Sequence, residues 1–161
     1  MRFGEEFVLS ELNSFKEEVF QDVLAAADAD GTYVEDAFFD YFCDYLVDAG
    51  ELDTHDRAPY YSTKGVRVDG YGGDPLVNDD VLSLILLDFT QEEQKLKLTR
   101  TDMDKAFKRA LNFVAKSLDP IFREALEPTT PAFGLADMIA DRWGRIRKVR
   151  LLLVSSRELS S

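Results

Sequence analysis

The sequence predicts an α/β fold in which a mixed sheet of about four strands is flanked by helices. Three observations point there. Two segments with apolar residues at helical spacing come first, and three short apolar or alternating runs separated by turn residues follow between 60 and 90. A further helical stretch then leads to one last apolar run, KVRLLLVSS, at 148–156. A strand reached through a helical crossover commonly pairs in parallel, whereas strands joined by short turns pair antiparallel, so the sheet should be mixed.

Residues 5–27 place Phe7, Val8, Leu12, Phe15, Val19, Phe20, Val23 and Leu24 at helical spacing, with Glu11, Lys16, Glu17, Glu18 and Asp22 between them, the pattern of an amphipathic helix. The DADG segment at 28–31 ends it. Thr32 followed by Glu35 is a capping-box signature for a second helix, which runs to about Ala49 and stops at Gly50. Ala37, Phe38, Tyr41, Phe42, Tyr45 and Leu46 form its expected buried stripe, while Asp36, Asp40, Asp44 and Asp48 recur on another face.

After the polar turn ELDTHDRAP, the runs YYST, GVRVDGY and VLSLILLDFT read as three strands. The third is apolar from Val81 to Leu87 except at Ser83, as expected of a strand covered on both faces at the centre of the sheet. A long helix opens at Thr99 or Thr101, buries Met103, Ala106, Phe107, Ala110, Leu111, Phe113, Val114 and Leu118, and ends at Asp119-Pro120. Thr130-Pro131 opens another helix to about Trp143, with the proline where its missing N–H is not needed.

A chain of 161 residues with 45% hydrophobic content suits one core, so a single domain spanning 1–161 is expected. No run approaches the roughly 18 to 20 apolar residues of a membrane span, and MRFGEEF lacks the features of a signal peptide; the expectation is a cytoplasmic protein without membrane contact. Cys43, the lone cysteine, cannot form an internal disulfide and lies among Phe38, Tyr41, Phe42 and Leu46, so it reads as an inert core side chain. The net charge of −12 argues against nonspecific nucleic-acid binding by the chain as a whole. Its distribution is uneven. Residues 1–94 hold 23 Asp/Glu against 5 Lys/Arg, and residues 95–161 hold 8 against 14, so the halves should attract each other.

The segment DRWGRIRKVR gathers Arg142, Arg145, Arg147, Lys148 and Arg150 around Trp143, a combination of cations and aromatic platform that suits nucleic acid. Trp143 is also in phase with Leu135, Met138 and Ile139, which would place it in the core and leave the arginines to cover the sheet edge or pair with the acidic half.

Asp69 in VRVDGYGG and Asp88 at the end of LSLILLD are the sharpest candidates for chemistry. A charge at the end of an otherwise buried strand is costly unless it is paired, hydrated or bound to a cation. Together with Glu35 or Asp36 from the second helix, these acids form a set suited to Mg²⁺ or Mn²⁺. The structural alternative is that Asp69 orders its turn and Asp88 pairs with a basic residue of the second half. Other signals fail. DADG has glycine at the wrong position for a calcium loop, GYGGDP lacks the GK[ST] of a phosphate loop, and His55, the only histidine, reads as an exposed bystander in an acidic loop.

The order helices, three strands, helices, strand, with Asp69 in the second strand and Asp88 late in the third, resembles the PD-(D/E)xK nuclease superfamily and its restriction-endonuclease-like core. More narrowly, RVDGY, LSLILLDFT and LTRTDMDKAFKRALNFV resemble the N-terminal nuclease-like domain of the abortive-infection phage-resistance (AIPR) family. The resemblance implies a role in bacterial phage defence, with Asp69 and Asp88 at the acidic motif positions. It also implies a domain that stands alone or forms the N-terminal part of a longer architecture. One position departs from the pattern: Thr90 stands where the nuclease motif has a lysine two residues after the second acid, and Lys64, Lys95 and Lys97 are the nearest substitutes in sequence. A hydroxyl cannot supply the positive charge that stabilises the attacking water, so the catalytic trio Asp69, Asp88 and Thr90 implies a weakened or inactive nuclease. The other expectation is a noncatalytic module that binds a protein partner or its own copy on the same scaffold.

Overall fold

A computed structural model describes residues 2–3, 21–23, 25, 27–28, 33–89 and 97–157. Most of the first expected helix lies outside the described residues, as do the cap Thr32, Thr90 and Lys95. The part that is described is helical and buries Val23 and Ala27. The elements are β1 (Arg2–Phe3), α1 (Val34–Asp48), β2 (Asp56–Ser62), β3 (Val66–Tyr71), a 3-10 turn (Pro75–Val77), β4 (Val81–Asp88), α2 (Arg100–Ser117), α3 (Pro120–Ala125), α4 (Pro131–Arg142) and β5 (Lys148–Ser155).

The sheet is mixed, as the sequence predicts, and runs β1-β5-β4-β3-β2, with the apolar run of β4 in the middle. β2 and β3 pair antiparallel, as do β3 and β4, while β4 and β5 run parallel in register from Val81↔Lys148 to Asp88↔Ser155. The four long strands are the expected ones. The two-residue β1, parallel to β5, adds an edge that carries no apolar run to announce it.

Period-two alternation distributes the central strands between two cores. Leu82, Leu84 and Leu86 with Val149, Leu151 and Leu153 pack against Phe107, Ala110, Phe113 and Val114 of α2 and Leu135 and Ile139 of α4. Ile85, Leu87, Leu152 and Val154 turn the other way, onto Phe38, Phe39, Phe42, Cys43 and Leu46 of α1. Helices therefore cover both faces.

The buried stripe of α1 differs from the expected one. Phe39 and Cys43 are buried, while Tyr41 and Tyr45 are 39% and 60% exposed. Both stripes have helical spacing; the phenylalanines win the core because a buried tyrosine needs a partner for its hydroxyl. The N-cap of α1 is Tyr33, which makes no side-chain capping bond. α2 starts with a reciprocal capping box, Asp102 N donating to Thr99 Oγ1 at 3.1 Å and Thr99 N to Asp102 Oδ2 at 3.0 Å. Asp119-Pro120 ends α2 and also opens α3, because Asp119 Oδ1 accepts from Ile121 N at 2.9 Å. β2 starts within the expected turn, at Asp56. Among the described residues no helix is long and apolar enough to cross a membrane.

Cys43 is fully buried, and burial, followed by the charges of Asp40 and Asp44, pushes its thiol pKa up to about 12. The thiolate is the reactive form, so the native protein should be inert to iodoacetamide at neutral pH and react only through unfolding. Alkylation rates across a urea series should track the unfolded fraction; rapid labelling of the native protein would contradict this burial.

Candidate functional site

The ladder between β3 and β4 is short. Its paired positions are Gly70↔Ile85 and Tyr71↔Leu84, and none follows toward the start of β3. Leu87, buried on β4, therefore needs partners for its backbone N–H and C=O. Two side chains supply them. Leu87 N donates to Asp69 Oδ2 at 2.8 Å, and Arg67 Nη2 donates to Leu87 O at 3.0 Å.

Arg67 and Asp69 lie two residues apart on an extended strand, a spacing that brings side chains to the same side. They pair through Nε to Oδ2 and Nη2 to Oδ1, both at 3.1 Å. From β2, Arg57 Nη1 donates to Asp69 O at 2.9 Å and to Oδ1 at 3.3 Å, and Arg57 Nε donates to Asp36 Oδ1 at 2.8 Å. The Arg57 guanidinium also lies 5.1 Å from the centre of the Phe39 ring. The Asp69 side chain is only 6% exposed, and such burial is tolerated because each of its oxygens accepts at least two hydrogen bonds. Burial by itself would lower the pKa of Arg67, but the charge and hydrogen bonds of Asp69, helped by Glu35 and Asp88, raise it.

Asp88 closes β4 opposite Ser155. Its Oδ2 accepts from Ser155 Oγ at 2.6 Å and from Arg157 Nε at 2.7 Å, and its Oδ1 accepts from Arg157 Nη2 at 3.0 Å, a two-pronged carboxylate–guanidinium pair. Arg157 Nη1 also lies 3.7 Å from Asp102 Oδ2. The hydrogen bond that Arg157 donates to Asp88 leads the causes that hold the Arg157 pKa above its ordinary value.

The acids expected to surround a metal are thus gathered around arginines. Glu35, Arg57, Arg67 and Asp69 line one cavity of about 420 Å³, and Asp36 joins them through Arg57. Asp88 opens onto a second cavity, of about 250 Å³, and Arg67 lines both. Among the described residues no group of three or more His, Cys, Asp or Glu side chains is disposed to hold a metal ion. The residues present do not fit Mg²⁺ or Mn²⁺, because guanidinium groups occupy the positive role at both carboxylates. Lys64 and Lys97 are exposed, and neither is paired with Asp69 or Asp88.

Sequence reasoning passed over Arg57, Arg67 and Arg157. The alternation Arg67-Val68-Asp69 was a readable signal for one of them; the partnership of Asp88 with Arg157 depends on the parallel register of β4 and β5. His55, expected to be exposed, hydrogen-bonds Asp44 at 2.9 Å and sits edge-on to Phe39, with its side chain 19% exposed. The basic cluster at 142–150 meets the acidic half: Arg142 pairs with Asp74 as well as with its own neighbour Asp141, Arg145 and Arg147 pair with Asp80, and Arg150 with Glu51. Trp143 is half-buried against the core.

Two half-buried acids, Asp74 and Asp102, respond to pH. The hydrogen bond from Arg142 leads in lowering the pKa of Asp74, and the backbone bond from Thr99 leads for Asp102; both carboxyls are held below the ordinary aspartate range. A depressed folded-state pKa gives stability that is fully present above the unfolded value and lost as pH falls through the folded one. Between about pH 5 and pH 2, the urea midpoint of Asp74→Asn should therefore fall less steeply than that of the parent protein. Parallel slopes would remove Asp74 from the account.

Fold and site define an α/β domain with a mixed sheet in which the acids Asp69 and Asp88 are paired with arginines. Residues 38–161 match the family described as the abortive infection phage resistance protein N-terminal domain. The chain belongs to that family, which associates it with phage defence. No curated protein and no solved structure matches it.

Proposed function

We propose that the domain is a noncatalytic module on a nuclease-like scaffold, serving phage defence by binding rather than by cleaving phosphodiesters. The observation that carries this reading is the engagement of both motif-position acids by arginines, Asp69 by Arg57 and Arg67 and Asp88 by Arg157. A divalent ion about 4 Å from one guanidinium meets roughly 8 kcal/mol of repulsion at an effective dielectric constant of about 20. Site acids would have to exchange their arginines for the ion against that term. Thr90, in the position of the motif lysine, adds no cation to help a water attack.

The test combines melting with chemistry. Mg²⁺, Mn²⁺ and EDTA should leave the melting temperature unchanged, because only a ligand of the native state raises it. Supercoiled plasmid and single-stranded RNA should remain uncut. A saturable Mn²⁺ shift that Asp69→Asn and Asp88→Asn abolish, or cleavage that depends on Asp88, would overturn the proposal.

A further inference from the structure

Helix α1 carries a surface that its own fold does not use. From Val34 to Asp48 it holds Glu35, Asp36, Asp40, Asp44 and Asp48 and neither lysine nor arginine. With Phe38, Phe39, Phe42, Cys43 and Leu46 turned into the core, Asp40, Asp44 and Asp48 fall on the outward side together with the exposed Tyr33, Tyr41 and Tyr45. This arrangement works against the helix itself. Acids four residues apart repel one another, and the negative end of the helix dipole disfavours Asp44 and Asp48 in the last turns. Asp44 is bonded to His55, but Asp40 and Asp48 form no ion pair among the described residues. Local choices that weaken an element point to a role outside it, and exposed tyrosines are the side chains that anchor interfaces.

The complementary surface lies on the same chain. On α2, Lys105, Lys108, Arg109 and Lys116 are exposed, and none of them forms an ion pair among the described residues. At 1.5 Å per residue the acids from 40 to 48 span about 12 Å and the cations from 105 to 116 about 16 Å, so the basic line is long enough to cover the acidic one. The two cannot meet within one molecule, because α1 packs on one face of the sheet and α2 on the other.

We infer that the outward face of α1 docks the outward face of α2 on a second copy of this chain, head to tail, with Asp40, Asp44 and Asp48 against Lys105, Lys108 and Arg109 and the tyrosines enclosed between the helices. Cations laid over tyrosine rings add their own attraction. Each added copy leaves one acidic and one basic face free, so the contact is heterologous and continues past two copies. Like faces meeting in a symmetric pair would repel. The net charge of −12 does not prevent the contact, because at about 0.15 M salt exposed charges more than roughly 8 Å apart are largely screened, whereas side chains in contact are not. The inference rests on the binding reading in giving it a partner, but it uses neither Asp69 nor Asp88, so its failure and the failure of the metal test are read separately.

Sedimentation of the full chain from micromolar to millimolar concentration tests it. In about 0.15 M salt the average mass should rise with concentration past that of a dimer, and in about 1 M salt it should return to that of the monomer. Asp44→Lys/Asp48→Lys should fold normally, because both side chains are exposed and lysine suits a helix C-terminus, and should stay monomeric. Lys105→Glu/Lys108→Glu should do the same, and mixing the two variants should restore association, since each supplies a face that complements the other. Tyr45→Ala should weaken association about tenfold. Glu124→Lys/Glu127→Lys shifts the net charge by as much outside both helices and should associate as the parent does. A monomer at every concentration overturns the contact, as does association that both charge-reversed variants leave unchanged. A species that stops at two copies overturns the head-to-tail order, and a monomer that binds an oligolysine peptide through the α1 acids overturns self-association in favour of a different, basic partner.

Discussion

Replacing Asp69 with alanine should destabilise the protein by about 3 to 5 kcal/mol, lowering its melting temperature by roughly 10 °C or more. The loss has three parts that share one carboxylate. Arg67, 31% exposed at its side chain, loses its counter-charge, Arg57, 22% exposed, keeps only Asp36, and Leu87 N–H loses its acceptor inside the sheet. Breaking a buried pair from one side is worse than never having it, because the remaining charge stays desolvated. Asp69→Asn keeps the shape and one acceptor oxygen but turns an amide donor toward groups that are all donors, so it should cost about 2 kcal/mol. The sign matters more than the size. Acids crowded together for a metal repel one another without it, so a metal site would make Asp69→Asn neutral or stabilising in EDTA. Denaturant unfolding of Asp69→Asn in EDTA separates the two, and an unchanged midpoint would remove the structural role argued for this carboxylate.

Gly70→Ala should cost about 3 kcal/mol, because a Cβ there would sit 2.4 Å from Phe39 Cζ and 2.5 Å from Asp56 O. Neither neighbour can retreat. Asp56 O is backbone of the adjoining strand, and Phe39 is fully buried beneath Arg57. The added methyl therefore forces β2, β3 and α1 apart at the point where Arg57 crosses to Asp69. Gly134 supplies the opposite control: on α4 a Cβ meets nothing within 4 Å, so Gly134→Ala should stabilise the helix by about 0.5 to 1 kcal/mol. Measured side by side in urea, the two alanines should move the midpoint in opposite directions. A Gly70→Ala protein as stable as its parent would mean that β3 does not approach α1 this closely.

The proposed binding role explains why the scaffold would keep its two acids without the chemistry. In this chain Asp69 closes a gap between β3 and β4, and Asp88 anchors Arg157 at the end of the sheet.

Elements that announce themselves by local pattern were legible in the sequence. Alternation in VLSLILLD and KVRLLLVS fixes which side chains face which core once the strands form, and Thr99 and Thr130 mark helix starts because capping bonds reach only two or three residues. α3 shows the limit of that legibility, since the same Asp-Pro pair serves as a stop and a start. The stripe of α1 was ambiguous because tyrosine and phenylalanine offered two overlapping apolar faces.

What the amino-acid order determined by itself was the four long strands, the helices α1, α2 and α4, the mixed sheet and the two strand acids that demanded compensation. Only the tertiary structure decided what compensates them. Arg57 reaches Asp69 across 12 residues of chain and Arg157 reaches Asp88 across 69, separations at which no sequence period operates. A buried charge states its need locally, but the partner that meets it is chosen by strand register and packing, because electrostatic pairing depends on distance in space and not along the chain.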